Sequence, residues 1–242
     1  WYVFSGSCDV TDCPPRMGWF SRYRFRHYLF QRYLYQRLDP VHRAHLHGEV
    51  AEALVRLGAA PTLPEMNAAW LMIEDRSDVL EGPDWIASEA TMARHYEEAG
   101  VADKAADYHR WAGRRIICLS FRFDEAMAHY AKALSLLQSM ADTPSRLRRA
   151  YLAGHGLAWT QSMAVGWLGP QAGRTWRQAL ALAERSGDTF LTAHALVFLS
   201  IYYRMRADLD NAASTAERAV SLAQGGLPDW VLWVEGALAG VL

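Results

Sequence analysis

From residue 86 to the end of the chain, apolar residues recur at spacings of three and four with short polar breaks between runs, a pattern that predicts one amphipathic helix after another. The first 58 residues carry a different pattern. "RYRFRH" (22–27) alternates large and basic residues with period two and predicts a strand, whereas "YLFQRYLYQRL" (28–38) spaces Leu29, Tyr33 and Leu38 as one face of a helix. Asp39 and Pro40 end that helix and start another, with Asp39 as N-cap and Pro40 at the first helical position. "VHRAHLHGEVAEALVRLG" (41–58) then places Leu46, Val50, Ala53, Leu54 and Leu57 on one stripe and stops at Gly58. Residues 5–18 are small, polar and rich in Pro and Gly, predicting a loop with a short strand ahead of it; Pro61, Pro64, Gly82 and Pro83 mark 59–85 as a linker carrying a short helix around "AAWLMI".

Small residues within the helical part recur in a fixed frame. "RFDEAMAHYAKALSLL" places Ala126, Tyr130 and Ala133 at spacings of four and three; two later windows repeat the frame with Ala172, Trp176 and Ala179, and with Ala212, Ala216 and Ala219. An alanine at a helix crossing lets two antiparallel helices approach closely, and the residue four positions along can reach the next pair. The frame resembles the second helix of a tetratricopeptide repeat. The key alanines stand 46 and 40 residues apart, wider than the 34 of regular repeats, and the small residue usual in each first helix is irregular, so the repeats are expected to be divergent, with longer turns. The fold class that follows is all-α, a tetratricopeptide-like solenoid of helical hairpins over 86–242.

Composition narrows the function. With 242 residues, 51% apolar and 12% aromatic, the chain has ample material for a packed core. A formal net charge of -1 and a pI near 6.8 give no global field for polyanions. Any nucleic-acid contact would therefore rest on the local patch in which Arg16, Arg22, Arg24, Arg26, Arg32, Arg37 and Arg43 meet one acid, Asp39. Cys8, Cys13 and Cys118 form neither a disulfide framework nor a zinc spacing, which favours a reducing, cytoplasmic setting. No apolar run is long enough for a membrane helix. The chain opens at Trp1 without a methionine, and "VLWVEGALAGVL" ends it inside an apolar helical pattern, so it reads as a segment of a longer protein.

"YRFRHYLFQRYLYQRLDPVHRAHLHGEVAEAL", "ARHYEEAGVADKAADYHRWAGRRI", "FRFDEAMAHYAKALSLL" and "ADTPSR" together resemble the region that follows the ATPase module in bacterial STAND-type ATPase regulators, over roughly Trp19 to Ala223. Many of those proteins carry an adenylate/guanylate cyclase or DNA-binding domain at the N-terminus and tetratricopeptide repeats at the C-terminus. The resemblance implies that 19–58 is the winged-helix-like end of an ATPase module, with 1–18 a loop or the end of what precedes it. It further implies that Arg24, Arg26, His27 and His47 pack on that module, His47 matching the family's usual histidine. The chain lacks a GxxxxGK[ST] phosphate loop and cyclase residues. No cofactor is expected in these residues, and ATP with Mg²⁺ would belong to an upstream module. The implied function is a non-catalytic sensor or scaffold region that holds a protein or ligand in a helical-repeat groove and couples it to the ATPase; the alternatives are the regulatory region of a class III cyclase, a free-standing repeat adaptor, and a weak nucleic-acid binder through 16–43.

Several sharper chemistries compete with plain packing. His42 and His45 share a helix face, but His47 lies about 200° round from His45, so a three-histidine metal site needs distortion; His47 is expected instead to hydrogen-bond across a helix pair. Cys8, Cys13 and His27 have no zinc-like spacing, and Cys118, with His109 or His129 as base, sits in the apolar "RRIICLSF". Trp159, Trp167, Trp176, Trp230 and Trp233 are expected mostly in the core, with some lining the groove. Tyr202, Tyr203, Arg204 and Arg206 gather rings and guanidinium groups at one helix end and are the candidate partner-binding residues.

Overall fold

A computed structural model describes residues 4–6, 22–24, 28–57, 88–167, 169–226, 235–236 and 238–239, and over these the protein is all-α apart from one short ribbon. The ribbon pairs β1 (Phe4–Gly6) antiparallel with β2 (Arg22–Arg24), Phe4 opposite Arg24 and Gly6 opposite Arg22. The helices are α1 (Tyr28–Arg37), α2 (Pro40–Arg56), α3 (Glu89–Glu98), α4 (Ala102–Ser120), α5 (Phe123–Gln138), α6 (Pro144–Val165), α7 (Pro170–Ser186), α8 (Thr189–Met205) and α9 (Leu209–Gly226).

Local chemistry fixes many of the boundaries. Side-chain oxygens of Ser88, Thr143 and Asp188 accept the backbone N–H groups of Thr91, Arg146 and Leu191 at the starts of α3, α6 and α8. Pro40, Pro144 and Pro170 occupy first helical positions, where no backbone donor is needed. Gly187, at φ 72°, turns the chain out of α7 in the left-handed conformation. From α3 to α9 the connections are two to five residues long, so each helix has to double back on its predecessor.

From α2 to α9 every helix packs against the next, and α4 also touches α6, as α6 touches α8. The core is a string of small clusters rather than one central mass. Ala51 of α2 packs with Met92, Ala93 and Tyr96 of α3 and with Ala105 and Tyr108 of α4; Ala158, Ala172, Trp176, Leu199 and Tyr202 join α6, α7 and α8; Ala193, Leu196 and Val197 meet Ala216, Ala219, Ala223 and Leu238 farther along. Alanines dominate these contacts and let the backbones come close.

All nine residues of the small-residue frame, Ala126, Tyr130, Ala133, Ala172, Trp176, Ala179, Ala212, Ala216 and Ala219, are buried. The α2 stripe differs from the one expected. Ala51, with Leu54 and Val55, faces the core, whereas Val50 and Leu57 are 43% and 50% exposed. Ala51 is fully buried against Met92, Ala93 and Tyr96 of α3, so the face of α2 centred on it, and not the one through Val50 and Leu57, meets the partner helix. Asp39 stands at the N-cap of α2 as expected, but its side chain makes no capping hydrogen bond.

Candidate functional site

The densest chemistry lies on α6, α7 and α8, where Trp176 is the hub of an aromatic seam. The indole is fully buried, donates from Nε1 to Ser162 Oγ at 3.2 Å, and stacks on Phe198 at 5.5 Å and on Trp167 at 6.2 Å. Trp159 meets Trp167 and Phe198 edge-on at 5.7 and 5.9 Å. Trp159, Trp167 and Phe198 are only partly buried, so the seam runs from the core to the surface. Trp230 and Trp233 lie outside the described residues.

Rings elsewhere need glycine notches. Tyr130 of α5 lies against Gly113 of α4 and Gly156 of α6; a Cβ at Gly113 would sit 3.0 Å from the ring, and one at Gly156 would overlap it. Gly173 of α7 leaves the same kind of room for Tyr202 of α8. The large residues of the frame thus do reach the next pair, Tyr130 through Gly156 and Trp176 through Phe198. Sequence reasoning missed the receiving glycines, because the frame was read along second helices while the notches lie mainly on their partners.

Six histidines meet in three pairs. His47 of α2 and His95 of α3 approach Nδ1 to Nδ1 at 2.9 Å, and Tyr35 Oη lies 2.8 Å from His47 Nε2. His109 of α4 and His129 of α5 approach in the same way at 2.9 Å, with His109 Nε2 3.3 Å from Glu97 Oε2, while the other carboxylate oxygen, Oε1, pairs with Lys132. His155 of α6 and His194 of α8 lie ring to ring at 4.9 Å among Trp176 and Phe198, with Tyr151 Oη 2.6 Å from His194 Nδ1. Burial is the first cause that lowers the pKa of all six; it holds His155 down at about 4 and His194 well below its ordinary value. His47 therefore does bond across helices, as expected.

The candidate partner-binding residues divide. Tyr202 is 3% exposed, packs with Ala172, Trp176 and Leu199, and sends its hydroxyl toward the Gly169 carbonyl at 3.4 Å. It is a core residue, a correction to its expected surface place; its ring is needed to fill the Gly173 notch. Tyr203 and Arg204 are half-buried and Arg206 is exposed, its guanidinium 5.7 Å over the Tyr202 ring. Arg26 and His27 lie outside the described residues, as do the Arg24 side chain, Cys8 and Cys13. Tyr35, Leu38, Arg43, Leu46, His47, Val50 and His95 line a hollow of about 170 Å³.

Other groupings are not brought together. His45 pairs with Glu49 at 3.3 Å while His47 turns to Tyr35 and His95. Cys118 lies nine residues along α4 from His109, about 13 Å at 1.5 Å per residue, and His109 and His129 are turned to each other. Among the described residues no three metal-ligating side chains cluster, and no helix is long and apolar enough to cross a membrane. Ion pairs tie neighbouring helices: Arg149 to Asp107 at 2.8 Å, Arg148 to Asp188 at 3.0 Å, Arg115 to Glu89 at 3.3 Å and Arg218 to Glu184 at 2.6 Å.

The class these observations define is an all-α protein of successively packed helices with buried aromatic and histidine clusters between them. Compared with known proteins, the chain matches no family model and no curated protein.

Proposed function

We propose that this chain is a cytoplasmic, non-catalytic sensor or scaffold region of a bacterial signalling ATPase, built as a divergent tetratricopeptide-like solenoid that binds a protein or peptide and passes the event to an upstream module. The observation that carries the reading is the repeated inter-pair joint: Tyr130 enters the Gly156 notch of the next helical pair, and Trp176 stacks on Phe198 of the pair after that. Such a joint is what a stack of hairpins needs, because one pair alone cannot bury its own faces. The aromatic seam reaching the surface at Trp159 and Trp167, with Tyr203, Arg204 and Arg206 at the end of α8, supplies the ring and guanidinium chemistry favoured at protein interfaces. Residues 19–58 take the role of the winged-helix-like end of the ATPase module in this reading, and ligand held by the stack shifts the packing of that segment between two states.

The test is the reading frame ahead of Trp1. A GxxxxGK[ST] phosphate loop one or two domain lengths upstream is the expected result; a full-length protein without one contradicts the ATPase reading. With the partner in hand, Tyr203→Ala and Arg206→Ala should each weaken its binding by about 1 to 2 kcal/mol, measured by calorimetry, while unchanged affinity removes these residues from the interface.

A further inference from the structure

The three histidine pairs share a property that packing does not require. Each joins two different helices, α2 to α3, α4 to α5 and α6 to α8, so together they sample the length of the described stack. The two Nδ1 to Nδ1 contacts at 2.9 Å each need one ring nitrogen free to accept, and so at least one neutral ring in the pair. In the first pair a Tyr35 hydroxyl that donates to His47 Nε2 leaves the His47 proton on Nδ1 for His95 Nδ1, and the opposite His47 tautomer donates to Tyr35 and accepts from His95. In the second, His109 donates from Nε2 to Glu97, so its Nδ1 accepts from His129. In the third, Tyr151 donates to His194 Nδ1, and the neighbouring His155 keeps a buried Nε2 with no partner among the described residues. A neutral ring can accept at one nitrogen; an imidazolium carries protons on both and accepts at neither.

We propose that these pairs are acid-releasable clasps, so that the helical stack is closed at neutral pH and loosens between its helices as both members of a pair take up protons. One proton per pair is tolerated as a charged N–H···N bond, whereas two place cations on nitrogens 2.9 Å apart in the first two pairs. The surroundings set how readily each clasp opens. Around His47 and His95, Arg43 and Arg94 oppose protonation and Glu98 favours it. Around His109 and His129, Glu97 and Glu125 favour it and Lys132 opposes it. His155 and His194 lie among each other, Tyr151, Trp176 and Phe198, where burial opposes protonation of both rings.

The sign follows from the direction of the shifts. The folded chain holds these rings below the 6.5 of a free histidine, so the unfolded chain binds more protons, and stability is full above about pH 6.5 and falls as pH drops toward 5. The same window lies above the ordinary carboxylate range, and Asp107, pushed up by burial, acts in the opposite direction, since the folded chain then holds its proton more tightly.

The experiment is urea unfolding of the full chain at pH 7.0, 6.0 and 5.0, for the natural sequence and for the combined variant His95→Gln, His129→Gln and His194→Gln. The expected result is an unfolding constant that rises about 100-fold or more from pH 7.0 to 5.0 in the natural chain, and a rise at least about 10-fold smaller in the variant, which keeps His47, His109 and His155. A natural chain whose constant moves less than about 10-fold, or a variant that keeps the full pH slope, overturns the proposal. Should the variant not fold, ring-proton NMR titration of the natural chain decides. Resonances of the paired histidines that stay neutral through pH 6 and titrate together with helix loosening support it; titration near pH 6.5 in the intact fold overturns it.

Discussion

Tyr130 and Gly156 form a contact in which one atom decides the outcome. The ring fills the space where a Cβ would stand, so Gly156→Ala forces the tyrosine out of its place, and overpacking of this kind costs about 1 to 3 kcal/mol. Urea unfolding should show that loss, and Tyr130→Leu in the same chain should recover part of it, because the two substitutions touch and their effects do not add. Additive losses would mean the ring and the glycine are independent. Trp176 makes the opposite case, an indole that fills its site from core to hydrogen bond with Ser162. Trp176→Ala is expected to cost about 3 to 5 kcal/mol, read as a fall in thermal midpoint, and a loss below about 1 kcal/mol would show the seam to be loosely packed. The alanines of these windows were legible in the sequence because period and size both mark them. Gly156 and Gly113 were not, since a glycine within a helical pattern gives no sign of which distant ring will need the room.

Helix ends and helix-to-helix ties set the next scale. Ala207 holds φ 57° in the connection after α8, a left-handed conformation that costs an L residue about 1 kcal/mol and glycine almost nothing. Ala207→Gly should therefore stabilise the chain by about 0.5 to 1 kcal/mol in chemical denaturation, and a destabilisation would mean that the methyl group packs usefully. The ties between helices are unequal. Arg149 bonds Asp107, whose carboxyl is pushed up chiefly by burial and held back by that guanidinium, and Arg149 also bonds the Asp103 carbonyl. Arg149→Met strands a partly buried carboxylate and is expected to cost about 2 kcal/mol. Lys104→Met, which frees the half-exposed Glu52, is expected to cost less than about 1 kcal/mol. Equal losses would contradict the burial argument. Element order and most boundaries were readable from period, prolines and capping residues. The buried face of α2 was not, because Leu46, Val50 and Ala51 all fit a helical stripe and only the partner helix chooses among them.

Among the described residues the helices share no single core, and the buried members of each cluster come from two or three neighbouring elements. Stability in such a chain is nearly a sum over adjacent units, and a change at one joint is felt by its neighbours first. The sequence carried the all-helical class and the recurrent frame, since both are local patterns. It did not carry the histidine pairs, whose members stand 48, 20 and 39 residues apart, nor the burial of Tyr202, because pairing at that range is a property of the stack. In the proposed function these same joints, Tyr130 in the Gly156 notch and Trp176 on Phe198, are the route by which a change at one pair would reach the next. The most direct measurement is the ATP hydrolysis rate of the full-length protein with and without Gly156→Leu, which breaks the α5–α6 joint inside the proposed sensor region. Coupling between a repeat region and an ATPase predicts a change of at least about fivefold in rate; hydrolysis that is absent, or that is unaltered while the helical stack is disrupted, would contradict the account.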